Sequence, residues 1–139
     1  MHDCWPFTGH CSYFTFTNCD KWKSGCYSCP YLEGYPKSVF LDRSKKNYAL
    51  KKKLFTGIKH LEIVTPSEWL ANLVGQSYMK EYPLEVINVG IDKGIFKECD
   101  SDLRIRYGLG DKKIVLGVAA QWNKRKGIDD FAELSRILD

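Results

Sequence analysis

An α/β fold with a parallel sheet is what this sequence predicts, and three observations predict it. Short apolar runs suited to buried strands alternate with stretches of helical periodicity. A helix-start signature, "TPSEW", follows the first of those runs directly. A proline then opens the second run, where a strand can tolerate it. Strand, helix and strand in that order argue for parallel pairing through a crossover.

Residues 1–40 read as irregular, being rich in Cys, Gly, Pro, Tyr and Trp without a helical period. The stretch 41–60, "LDRSKKNYALKKKLFTGIKH", is helical. Leu50, Leu54, Phe55, Ile58 and Leu61 recur at its period, and Lys45, Lys46, Lys51, Lys52 and Lys53 cover much of the other side. Those lysines suit a solvated face or a patch on anionic lipid. "LEIVT" is a short buried strand. In the next helix Thr65 is the expected cap, Pro66 the first helical position and Glu68 the partner in a capping box. Trp69, Leu70, Leu73 and Val74 form its apolar face. "YPLEVINV" is the second strand, and "GIDKGIFKECDSD" is a loop or linker. "SDLRIRYGL" reads as a short helix capped by Ser101 and stopped by Gly108. "KKIVLGVAA" reads as a third, strongly apolar strand, "QWNKRKG" as a basic loop, and "GIDDFAELSRILD" as a helix turning Phe131, Leu134 and Leu138 inward.

The totals bound the function. The 139 residues, 44% hydrophobic and 27% charged, are those of a soluble globular chain, and the net charge of +4 permits an anionic partner without requiring one. There is no apolar run of bilayer-spanning length, and "MHDCWPF" has neither the basic nor the apolar region of a signal peptide. A cytoplasmic location is the expectation, so the six cysteines point to metal, redox chemistry or plain burial rather than structural disulfides.

Three groups of residues could carry chemistry. The basic loop joins a strand end to a helix start, the edge at which open α/β sheets bind ligands. Arg125 and Lys126 supply cations there, Gly127 permits close backbone approach, and the helix start offers free N–H groups. Together these suit a diphosphate, although a plain basic turn has the same composition. Neither a dinucleotide fingerprint nor a P-loop occurs. Cys11, Cys19, Cys26 and Cys29 form C-x7-C-x6-C-x2-C, whose closing "CYSC" has the bite of a zinc knuckle. Structural zinc and simple reduced thiols are both open, and His10 is a fifth candidate ligand or a loop hydrogen-bonder. Cys4 and Cys99 are expected to pack. His2 and Asp3 could serve as an acid/base and its orienting group, or as an ordinary polar contact.

"HDCWPFTGHCSYF", "CDKWKSGCYSCP", "VTPSEWLANL", "VINVGID..IF" and "GVAAQWNKRKGIDDF", in that order, resemble bacterial glycosyltransferases of family 4, most closely the branch that builds capsular and other surface polysaccharides. The resemblance implies a GT-B fold, with a partial Rossmann-like N-terminal domain and the start of a second Rossmann-like domain. On that reading residues 1–89 are the later part of the acceptor-side domain with its Cys-rich loop at 1–40. Residues 90–100 are the linker, and 101–139 open the nucleotide-sugar domain. The resemblance further implies a retaining hexosyltransferase that takes a nucleotide diphosphate sugar, uses no catalytic divalent metal, and glycosylates a saccharide or lipid-linked saccharide acceptor at the inner face of the membrane. It assigns His2, with Asp3, to the cleft near the acceptor and sugar, Lys126 with Arg125 beside it to the donor diphosphate, and Gly90, Ile91 and Asp92 to the join between domains, with Gly90 counted alongside Arg125, Lys126 and Gly127 among the donor-binding positions. It departs from the family in having Val89 before Gly90, and Ala119 and Ala120 where many members carry Arg nearby. The family's E-x7-E donor motif lies beyond residue 139, so the chain reads as a fragment that is inactive alone, with "MHDCWPFTGHC" an internal cleft loop of a longer enzyme. The rival readings are a zinc-stabilised, non-catalytic module for an anionic partner, with nucleic acid the obvious one, and a thiol oxidoreductase using Cys26 and Cys29. The small net charge and the scattered basic residues weigh against nucleic acid.

Overall fold

The computed structural model describes residues 1–138. The chain divides into two compact units, Met1–Asp92 and Lys93–Asp139.

In the first unit the expected strand–helix–strand succession is present. Strands β1 (Ile63–Thr65) and β2 (Leu84–Val86) flank helix α2 (Glu68–Val74) and pair in parallel, with Ile63 opposite Leu84, Val64 opposite Glu85 and Thr65 opposite Val86. Both strands are shorter than their apolar runs. The ladder ends with Ile63 N donating to Pro83 O and Ile87 N donating to Thr65 O, both at 2.9 Å. The pleat of β1 buries Ile63 and Thr65 and turns Val64 outward. Helix α2 is capped by Ser67, not by Thr65: the Ser67 hydroxyl accepts the Leu70 N–H at 3.3 Å. Thr65 is held in β1, where extended pairing leaves its hydroxyl to reach Ser67 O at 3.3 Å. Leu70, Ala71 and Val74 are the buried face of α2, while Trp69 is exposed.

Helix α1 (Ser44–Thr56) forms as expected but packs on a different face. Ser44, Tyr48 and Lys51 are buried and Phe55 half-buried, an i, i+4, i+7, i+11 stripe. Leu50, Leu54 and Ile58 are exposed. The reason is that the surface α1 meets is polar backbone of the N-terminal loop, which rewards a donor as well as apolar area. Tyr82 ties the end of α1 down by donating to Phe55 O (2.9 Å) and sharing Ile58 O (3.1 Å).

The irregular N-terminal stretch supplies half of the core. Its only regular pieces are single 3-10 turns at Trp5–Phe7, Thr15–Thr17 and Lys21–Lys23. Phe7, Phe14 and Trp22 nonetheless pack ring on ring at 4.8–6.5 Å between centroids. They join Ile63, Leu70, Val74 and Met79 in one buried cluster. Each aromatic pair adds about 1 kcal/mol beyond the area it buries.

The second unit contains the short helix α3 (Leu103–Arg106) and helix α4 (Ile128–Leu138). Ser101 sits one place before the cap position, which Asp102 holds, and its hydroxyl accepts the Leu103 N–H at 3.2 Å. Gly108 stops the helix in a left-handed conformation, φ +59°. The run 113–120 is not a strand. No other strand among the described residues offers it a ladder, so Ile114, Val115, Leu116 and Val118 lie exposed. Gly117 is where this run crosses α4, because a Cβ there would stand 2.5 Å from the Phe131 ring and 2.7 Å from that of Trp122. Those two rings meet edge-on at 5.1 Å. Phe131, Leu134 and Leu138, all expected inside, are all exposed, Leu138 the most. No described residue of this unit is fully buried.

Candidate functional site

The first region is the loop that opens the chain. Asp3 Oδ1 accepts the Trp5 N–H at 2.9 Å, a local turn that starts the Trp5–Phe7 helix. The Asp3 carboxylate therefore shapes the backbone beside His2, which is exposed. The loop is anchored at three further points. Tyr78 donates its hydroxyl proton to Pro6 O at 2.5 Å. The amino group of Met1 donates to Val64 O on β1 at 2.6 Å. Lys51 donates to Trp5 O at 2.8 Å and Thr8 O at 3.0 Å, with its ammonium 3.5 Å from the centre of the Trp5 ring.

Lys51 is the functional-looking residue that the sequence did not single out. It belongs to a lysine-rich helix and reads as one more solvated cation, yet it is 7% exposed. Burial pulls its pKa down from the ordinary 10.5 to about 8, against the pull of Cys26, Cys11 and Asp3, which favour the proton. The signal that could have found it is its place in the 44–48–51–55 stripe, which becomes visible once Tyr48 rather than Leu50 is taken as the inward residue.

The cysteines are brought together. Cys11, Cys19, Cys26 and Cys29 line a single cavity of about 20 Å³, and His10 lines it with them. All six cysteines are free thiols. Burial, reinforced by the neighbouring Cys29 and Cys26, raises Cys11 to about 11. Burial likewise pushes Cys26 and Cys29 above the ordinary thiol range. The backbone around the closing pair is braced. Gly9 N–H points at Cys26 Sγ at 3.1 Å. Asp42 Oδ2 accepts the Cys29 N–H at 2.8 Å. Lys21 clamps the turn between them by donating to Tyr27 O (3.0 Å) and Ser28 O (2.9 Å), where Ser28 is left-handed at φ 43°. As the side chains stand, no group of three or more His, Cys, Asp or Glu among the described residues is disposed to hold a metal ion. Of the two remaining cysteines, Cys4 is fully buried as expected, its thiol raised to about 12 chiefly by that burial. Cys99 is exposed, contrary to expectation, because the segment that carries it offers no core to enter.

The second region is the basic turn. Lys124–Lys126 is a single 3-10 turn capped by Asn123, whose Oδ1 accepts the Lys126 N–H at 3.2 Å. Gly127 follows at φ +73°, a conformation glycine adopts without cost, and α4 begins at the next residue. Three cationic side chains thus stand immediately before a helix N-terminus. Arg125, Lys126 and Gly127 are neighbours in this turn. His2 and Asp3 belong to the other unit, as does Gly90, which is exposed with open space around it. No helix among the described residues is long and apolar enough to cross a membrane.

Comparison with known proteins gives a relative. Over 95 residues, 66% of this chain, it is 37% identical to the Escherichia coli (strain K12) protein named "Putative colanic acid biosynthesis glycosyl transferase WcaC". The matched stretch is 22% of that protein, so the chain spans about a fifth of the length of the relative it matches. No protein-family model and no solved structure matches the chain. By sequence, then, this chain is similar to part of a glycosyl transferase.

Proposed function

We propose that the chain is a segment of a retaining, GT-B-type glycosyltransferase of family 4, one that transfers a hexosyl unit from a nucleotide diphosphate sugar to a saccharide or lipid-linked saccharide in surface polysaccharide synthesis. The observation that carries this reading is the 37% identity over 95 residues to a protein named as a glycosyl transferase. A surface-polysaccharide product fits the colanic acid in that relative's name. Residues 1–89 belong to the acceptor side, 90–100 form the linker and 101–139 open the donor side.

The basic turn supports the donor half of the reading. A departing nucleoside diphosphate develops negative charge, and pre-placed cations and a helix N-terminus stabilise such charge where water is excluded. Arg125 and Lys126 take that role, with Gly127 letting the phosphates reach the start of α4. His2, exposed on an anchored loop, positions the acceptor or the donor sugar, and Asp3 holds the turn beside it. On α1 the residues Lys46, Leu50, Lys53 and Leu54 share an exposed face. Apolar side chains flanked by lysines suit peripheral contact with anionic lipid at the inner face of the membrane.

The test is nucleoside diphosphate binding by the 139-residue chain, read from Trp122 fluorescence or calorimetry with UDP and GDP. Arg125→Ala and Lys126→Ala are each expected to weaken binding about tenfold, which is about 1.4 kcal/mol. Turnover of a nucleotide sugar by this chain alone is not expected. Affinity unchanged in both variants, or no binding to either nucleotide, would overturn the donor assignment.

A further inference from the structure

The four cysteines that share a cavity have no part in the sugar-transfer reading, and they ask for an explanation of their own. Four features of their surroundings converge. All four cysteines line one space of about 20 Å³, room for a single ion or water. Backbone N–H groups are aimed at sulfur, Gly9 at Cys26 Sγ, and Tyr31 at Cys29 from two residues on in the chain. Three buried polar atoms without a hydrogen-bond partner, His10 Nε2, Trp22 Nε1 and Ser44 Oγ, belong to residues lining the same cavity, and of these His10 Nε2 is the atom that can ligate a metal. Finally, this segment has only single 3-10 turns to define its path, yet it must hold Phe7, Phe14 and Trp22 in the core.

We propose that Cys11, Cys19, Cys26 and Cys29 form a structural binding site for a zinc-class divalent cation, with His10 lining it. Tetrahedral thiolate coordination is the chemistry these residue types supply. The side chains do not stand at coordinating positions as they are turned in this structure. Closing on an ion requires the side chains to move, on a backbone braced by Lys21 and Asp42. Binding releases the four thiol protons to solvent and leaves the site with a net charge of −2. Lys21 lines the same cavity, and Lys51 interacts electrostatically with Cys26 and Cys11, so two cations offset that charge. Gly9 is required beside Cys26, since a Cβ there would run into Ser44 O and Cys26 Cβ. The role is to fasten the N-terminal loop, and it is independent of whether the chain binds a nucleotide.

The experiment is metal analysis of the purified, reduced chain, followed by substitution with Co²⁺. About one zinc per chain is expected, and Co²⁺ should give a thiolate-to-metal charge-transfer band together with the visible bands of tetrahedral cobalt. Cys29→Ser should lose most of the metal, and Cys99→Ser, outside the cavity, should keep it. If Cys29→Ser fails to fold, the cobalt spectrum of the unsubstituted chain still decides. No co-purifying metal and no charge-transfer band would overturn the proposal. So would a thiol count showing that two of the four cysteines pair as a disulfide, or metal content unchanged in Cys29→Ser. A positive metal result with no nucleotide binding would sink the donor assignment alone.

Discussion

Lys51 shows how much one side chain can organise. Its ammonium satisfies two backbone carbonyls and caps the Trp5 ring, so it fastens α1 to the loop that carries His2 and Asp3. Truncating it leaves the buried Thr8 O without this donor, while Trp5 O keeps the Thr8 N–H at 3.3 Å, and loss of a buried partner costs about 1–3 kcal/mol. Lys51→Ala is therefore expected to lower stability by about 2 kcal/mol in urea unfolding. The pH dependence has a definite sign. The folded-state pKa is about 8 and the ordinary value 10.5, so between these pH values the unfolded chain binds more protons than the folded one. Stability contributed by this group then rises with pH across that window. Unfolding of the chain and of Lys51→Met, compared from pH 7.5 to 10.5, should show the unsubstituted protein gaining on the variant. A constant difference would mean the group is not desolvated.

At the scale of elements, the β1–α2–β2 unit was legible because its signals are local. A proline at the strand entry, a helix-start cluster and short apolar runs all act within a few residues of themselves. Even so, the cap was displaced from Thr65 to Ser67, because Thr65 is held in β1 and the helix begins only at Glu68, directly after Ser67, whose extended backbone (φ −160°, ψ 151°) suits a cap. Ser67→Ala is expected to cost about 1 kcal/mol, measured by thermal unfolding, whereas Thr65→Ser should leave the cap intact. Helix α1 carries the opposite lesson. Its periodicity was readable, but two stripes competed, and the one richer in leucine lost to the one holding Tyr48 and Lys51. Which stripe packs depends on the surface it meets, and that surface comes from residues some forty positions away in the chain.

At the scale of the whole molecule, the two units differ in what holds them. The first has a continuous buried cluster built from the N-terminal loop, β1, α2 and Met79. In the second, no described residue is fully buried, and its most apolar run, 113–120, has no strand partner. Amide exchange tracks local opening, which is suppressed where backbone bonds are sheltered by packing. The slowest-exchanging amides are expected in residues 63–87, with those of 93–138 exchanging fast. Strong protection in 113–120 would show that this run is paired after all.

The sequence by itself determined the elements whose causes are local: the α/β class, the parallel strand pair with its crossover helix, the cluster of four cysteines within nineteen residues, and a basic turn ending in glycine before a helix. Its family motifs also placed it near the glycosyltransferases, and similarity over 95 residues agrees at that level. The tertiary structure decided which residues meet. It turned Lys51 inward, drew Cys11 and Cys19 to the cavity of Cys26 and Cys29, left Cys99 outside, and withheld a partner from 113–120. The physical reason is range. Capping, periodicity and turn formation are settled by neighbours along the chain, whereas burial and the gathering of side chains depend on contacts between segments that only folding brings together.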